Sequence, residues 1–164
     1  MTRSLAWSKG RSCHWLALPG WFLICFLAAS LGAFFGPGAW YESLAKPFWN
    51  PPGWIFGPVW GLLYTLMAVA AWLIWREGGW QKQRGPIGIF LWQLALNALW
   101  SPLFFGLQMP GIACAEILLL WGMIVATIRV FYPVNPRAAM LLVPYLAWVS
   151  FASILNGTLW YLNA

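Results

Sequence analysis

Residues 15–41, 48–75 and 85–115 carry no charged side chain. A helix rises about 1.5 Å per residue, so roughly 20 residues cross the ~30 Å hydrocarbon core of a bilayer. The first two stretches are long enough to cross once, and the third is too long for a single crossing. Composition points the same way. Of 164 residues, 62% are hydrophobic and 7% charged, against about 25% charged in a soluble domain. So little charge cannot coat a globule. With lipid as solvent, every backbone amide must find its partner within the chain. The expected fold class is an all-α integral membrane protein, a single domain over 1–164.

Prolines and glycines set the limits of the spans. The first is expected at about 15–36, ending near "FFGPG", and a loop over 37–50 follows. The second covers about 51–75 and opens on Pro51 and Pro52, where missing N–H groups matter least. The "LQMPG" stretch divides the long uncharged run into a third span at about 86–106 and a fourth at about 111–131. The "YPVNP" stretch turns the chain into a fifth at about 137–162. The result is a bundle of five transmembrane helices.

Five crossings place Arg3, Lys9, Arg11, Arg76, Lys82, Arg84, Arg129 and Arg137 on one side and Lys46 alone on the other. By the positive-inside rule the N-terminus is cytoplasmic, the C-terminus outside and the 37–50 loop exterior. A bacterial plasma (inner) membrane is the expected location. The basic N-terminus ahead of an apolar run also has the outline of a secretory signal. Its apolar part exceeds the usual 7–15 residues or so of such a signal, which favours a span.

Several chemistries are missing. Cys13, Cys25 and Cys114 show no CxxC spacing, and apolar packing is their expected role. His14 is the only histidine and stands beside the basic tail. No hydrolase triad, nucleotide loop or paired-carboxylate site is present, and the basic face fits topology and anionic lipid, not nucleic acid. No cofactor is required by any motif, and no metal site is expected.

Polar groups inside spans are expensive in lipid and therefore informative. Gln93, Asn97 and Ser101 recur every four residues and share a helix face, as do Trp148, Ala152 and Asn156, and Trp60 and Tyr64. Counted from the exterior ends, Asn156 lies ~9 Å deep, Trp60 ~14 Å, Asn97 and Ala152 ~15 Å and Trp148 ~21 Å. Two readings stay open. The amides glue helices together, or indoles and amides line a cavity under the loop. Many of the fifteen tryptophans belong to interface belts: Trp7, Trp75 and Trp80 on one side, Trp40, Trp49 and Trp160 on the other. Glu116, ~7 Å from the outer end of the fourth span, either snorkels to the interface or serves the pocket, for instance by pairing with Lys46.

Three blocks, "WYESLAKPFWNPPGWIFGPVWGLLYTLM", "QLALNALWSPLFFG" and "LLVPYLAWVSFASILN", resemble in order and spacing the signature blocks of the TspO/MBR family. The resemblance implies a five-helix bundle, a homodimer, and a pocket for tetrapyrroles such as protoporphyrin IX or haem. Some members bind cholesterol and synthetic isoquinoline carboxamide or benzodiazepine-type ligands. It also implies the site residues. Tyr41 and Pro51 belong to the lid; Phe56, Val59 and Trp60 to the second helix; Asn97 to the third; Trp148, Ala152 and Leu155 to the fifth. The animal sterol motif has Tyr and Arg where this chain has Gly157 and Tyr161, and Ile112 replaces an animal Trp.

The resemblance implies a tetrapyrrole-binding sensor or regulatory protein. The alternative is light-dependent porphyrin degradation through Trp60 and Trp148. Porphyrin or sterol transport ranks third, because the usual pair of broken helices in inverted repeats is missing.

Overall fold

The computed structural model describes residues 5–164, with side chains from Leu16 onward. Readings that rest on the side chains of Arg3, Trp7, Lys9, Arg11, Cys13 and His14 lie outside the described residues. Among the described residues there is no strand. The helices are α1 (Leu5–Phe34), α2 (Ala39–Ser43), α3 (Phe56–Arg76), α4 (Gly79–Ser101), α5 (Pro110–Phe131), α6 (Pro136–Leu141) and α7 (Val143–Leu162). Five segments are long and apolar enough to cross a membrane: Leu16–Phe34, Gly53–Arg76, Gly79–Gly106, Pro110–Phe131 and Pro136–Leu162.

The limits of the elements follow local chemistry. Pro51 and Pro52 do not open the second helix. Pro52 is extended (φ −58°, ψ 140°), a 3₁₀ turn covers Gly53–Ile55, and α3 begins only at Phe56. The α3–α4 turn needs positive φ at Gly78 (132°) and Gly79 (61°), a region that glycine enters without a Cβ clash. α4 therefore starts before Pro86, with a kink at Gln83, and Trp80 lies in its first turn instead of a loop. Asn135 caps α6 by accepting from the amides of Arg137 (3.1 Å) and Ala138 (3.3 Å), with Pro136 at the first helical position. The last turn before the α4–α5 loop widens to a π-helix, Pro102–Gly106.

Neighbouring helices run in the order α1, α3, α6/α7, α5, α4 and back to α1, with α3 also touching α4. One end of the bundle carries Arg76, Lys82, Arg84, Arg129 and Arg137, and the other carries the 37–50 segment. Towards the basic end the packing is close. Met67, Ala68, Ala70, Ala71 and Ile74 of α3 are fully enclosed, and so are Phe90, Phe131, Ala138 and Ala139. Small residues let helix backbones approach, which is how helices associate where lipid removes the hydrophobic drive. α1 is the least buried span. It is held by Trp21, edge-on to Trp75 at 5.8 Å and to Phe90 at 5.9 Å.

Candidate ligand-binding site

Towards the lid end the same bundle encloses a cavity of about 530 Å³. Its floor is a hydrogen-bond chain across three helices. The Tyr64 hydroxyl donates to Asn97 Oδ1, and Asn97 Nδ2 donates to the Tyr145 hydroxyl at 2.6 Å. Gln93 Nε2 donates to the same hydroxyl at 3.2 Å. Higher up, Trp100 Nε1 donates to Asn156 Oδ1 (3.0 Å), and Asn156 Nδ2 donates to the Pro110 carbonyl (2.8 Å). The two readings of these amides are thus combined. Asn97 and Asn156 tie helices together and also border the cavity, their polar atoms already engaged by protein.

What faces the cavity is mainly apolar, with rings supplied by every wall except α5. On α3, Phe56, Trp60 and Tyr64 are four apart and share the inner face, with Gly57 and Gly61 beside them. On α7, Trp148, Ala152, Leu155 and Asn156 form the adjoining wall. Phe56 meets Trp148 edge-on at 5.8 Å, and Trp60 lies tilted on Tyr64 at 5.6 Å. The indole N–H groups of Trp60 and Trp148 make no hydrogen bond among the described residues. Val59, half-buried, packs against the main core and is not among the residues that line the cavity.

The lid is a folded element. Tyr41, Asn50 and Pro51 reach the cavity. The Tyr41 hydroxyl donates to Asn50 Oδ1 at 3.2 Å, and its ring rests edge-on against Phe105 at 5.4 Å. Burial raises the pKa of that hydroxyl above its ordinary value, with the bond to Asn50 acting against the rise. Lys46 Nζ stands 4.9 Å above the Tyr41 ring and donates to the Glu42 and Leu44 carbonyls, so it serves the lid and does not pair with Glu116. Trp40 and Trp49 are half-buried against Phe104 (5.8 Å) and Phe151 (5.9 Å), so they pack the lid onto the bundle.

Glu116 neither snorkels nor lines the cavity. It is 8% exposed on α5, and neither carboxylate oxygen has a hydrogen-bond partner. No histidine, cysteine or methionine is among the lining residues, and no cluster that would hold a metal ion occurs among the described residues.

Two parts of the wall escaped the sequence reading. Ile117 and Leu120 of α5, and Phe26, Ala29 and Ala33 of α1, line the cavity. They are apolar residues in apolar helices, and no polar spacing singles them out. Tyr145 was also missed as a floor residue, although a tyrosine beside Pro144 at the start of a span is a polar handle that asks for a partner.

The geometry defines a class: a multi-pass helical membrane protein whose spans enclose an aromatic-walled cavity beneath a folded lid. A profile of the TspO/MBR family matches residues 21–162, and the chain belongs to that family. It is 45% identical over 154 residues to the translocator protein of Bos taurus, covering 91% of each chain. It is 44% identical over 145 residues to the tryptophan-rich protein TspO of Chlorobaculum tepidum, covering 85% of this chain and 91% of the relative. To protein CrtK of Rhodobacter capsulatus it is 40% identical over 147 residues, covering 87% of this chain and 90% of that one.

Proposed function

We propose that this protein is a membrane tetrapyrrole-binding sensor or regulator, with protoporphyrin IX or haem held in the cavity. The observation that carries this reading is a pair of indoles on adjoining walls, Trp60 on α3 and Trp148 on α7, both lining a cavity of about 530 Å³. That volume falls in the range of roughly 300–1,000 Å³ typical of small-molecule sites. A planar macrocycle gains area burial and stacking there without needing polar partners, since Asn97 and Asn156 are already engaged. One relative, in Cereibacter sphaeroides, bears the name tryptophan-rich sensory protein and is 37% identical over 150 residues, 91% of this chain and 92% of its own.

The free indole N–H groups favour one second reading, light-dependent porphyrin breakdown, because a readily oxidised ring would lie on the bound macrocycle. A protoporphyrin titration of purified protein, with product analysis in light and in darkness, separates the two. Saturable binding without products supports the sensor. Products formed only in light support breakdown, and no binding removes both. The basic end is assigned to the cytoplasm of a bacterial plasma membrane, and a homodimer is the expected assembly. A reporter active only outside the cytoplasm should work when fused at Ala164, and an inactive one would reverse the orientation.

A further inference from the structure

The residues that line the cavity are least covered along one side. Its exposed lining residues are Phe26, Ala33, Gly36, Pro37, Gly53 and Gly57. All lie on α1, just after it, or at the start of the second span. Lining residues from α4, the π turn, α5 and α7 are buried or half-buried, and those of the lid are half-buried apart from its Gly36–Pro37 hinge.

The path of α1 causes this. Towards the basic end α1 lies against α3, through Trp21–Trp75 (5.8 Å) and Phe26–Tyr64 (6.3 Å). Towards the lid it leans instead on α4 and the π turn. A Cβ at Gly32 would stand 3.5 Å from Ser101 Oγ, and one at Gly106 would stand 2.8 Å from the Phe35 ring. α1 and α3 therefore part, and Gly53 of the 3₁₀ turn and Gly57 and Gly61 of α3 stand there, each with open space beside it. The gap lies within the spans Leu16–Phe34 and Gly53–Arg76, so it faces acyl chains.

The lid, by contrast, is tied down. Asn163, just past the end of α7, accepts from the Ala45 amide at 2.9 Å and returns a bond from Nδ2 to the Ala45 carbonyl at 3.0 Å. The same Nδ2 donates to the Leu159 carbonyl at 2.8 Å, so both amide hydrogens and the oxygen are used.

We infer that the ligand passes between membrane and cavity through the slot between α1 and α3, while the lid stays latched by Asn163. The inference rests on the reading above for the passenger, a planar apolar macrocycle dissolved among lipid chains. A slot edged by glycine backbone admits a flat molecule edge-on. Its upper end at Gly36 and Pro37 leaves polar substituents at headgroup level.

The test uses full-length protein in lipid nanodiscs, with protoporphyrin pre-dissolved in the bilayer and tryptophan quenching followed by stopped flow. Gly57→Phe and Ala33→Phe each fill the slot from one side. Association and dissociation should both slow, by about tenfold, whichever way the added ring, which also borders the cavity, moves Kd. Asn163→Ala should leave both rates as they were. Unchanged rates in both Phe variants, a weaker Kd with association unaltered, or faster exchange in Asn163→Ala would each overturn the slot. Pyrene, a planar hydrocarbon, is run in parallel. If wild type takes up pyrene and Gly57→Phe slows it, while protoporphyrin never binds, the slot stands and the tetrapyrrole reading falls. Uptake of neither probe by wild type sinks the slot as well.

Discussion

The two ends of this bundle use the same five spans to opposite effect. At the basic end α3 presents Ala68, Ala70 and Ala71 to its neighbours, and the helices close until these side chains have no exposure. At the lid end α3 presents Gly57 and Gly61 between Phe56, Trp60 and Tyr64, and a cavity remains. Small residues are present in both places, so size alone does not decide. The difference lies in what stands beside them. Large rings braced against one another hold walls apart, whereas Met67, Ile74 and Phe90 fill the space between walls.

The sharpest way to break this contrast is to remove one large side chain from each end. Phe90→Ala should destabilise by about 3–5 kcal/mol, since a buried ring leaves a void that close packing cannot refill. Phe56→Ala, on a wall already facing empty space, should cost less than about 2 kcal/mol. Thermal unfolding in one detergent compares them, and equal losses would mean that the lid end is packed like a core.

Next in size is the hydrogen-bonded floor. Tyr145 is fully enclosed and accepts from two amides. Tyr145→Phe strands both donors and should cost about 1–3 kcal/mol. Tyr64→Phe should cost less, because Asn97 borders the cavity and its freed oxygen can meet water. A larger loss from Tyr64→Phe would reverse the assignment of which tyrosine is structural.

Glu116 tests the boundary between the two ends with the opposite sign. A buried carboxyl without a partner carries a penalty of about 1–3 kcal/mol, so Glu116→Met should raise the melting temperature. Glu116→Gln should leave porphyrin affinity unchanged, because the residue lies outside the cavity lining. A fall in affinity would show that the carboxyl reaches the ligand.

The smallest effects belong to the walls. Trp60→Phe and Trp148→Phe should each weaken porphyrin binding by about 0.5–1.5 kcal/mol, the scale of an aromatic pair beyond area burial, and abolish any light-driven product. Trp80→Phe, half exposed at the basic end, should change neither quantity in the same fluorescence titration.

Much of this was legible because lipid makes charge and polarity costly. The uncharged runs marked five spans, and the four-residue spacing of Trp60–Tyr64, Gln93–Asn97 and Trp148–Ala152 picked faces that meet at the cavity. Val59 came from likeness to the family, and it packs against the main core beside the cavity lining. The α1 and α5 contributions were hidden because Ala29, Ala33, Ile117 and Leu120 have side chains that suit lipid as well as a cavity. Prolines misled at 51–52, where two in succession extend the chain and delay the helix by one 3₁₀ turn. The burial of Glu116 depends on the rotation of α5 against α4 and α7, which no local pattern encodes.

The π turn at Pro102–Gly106 has a consequence for chain length. Its mark is the Leu107 amide, which donates to the Pro102 carbonyl five residues back at 2.8 Å. Such a turn accommodates one residue more than an α-helix would. Removing a residue from it would rotate the positions that follow by about 100°. Phe104 lands inside, stacked on Trp100 at 5.0 Å, and Phe105 meets Tyr41 of the lid. Deleting Leu103, just ahead of that aromatic pair, would swing it out of phase with the lid above it. In this part of the molecule the count of residues is itself a specificity determinant, and insertions or deletions should be tolerated far less than substitutions.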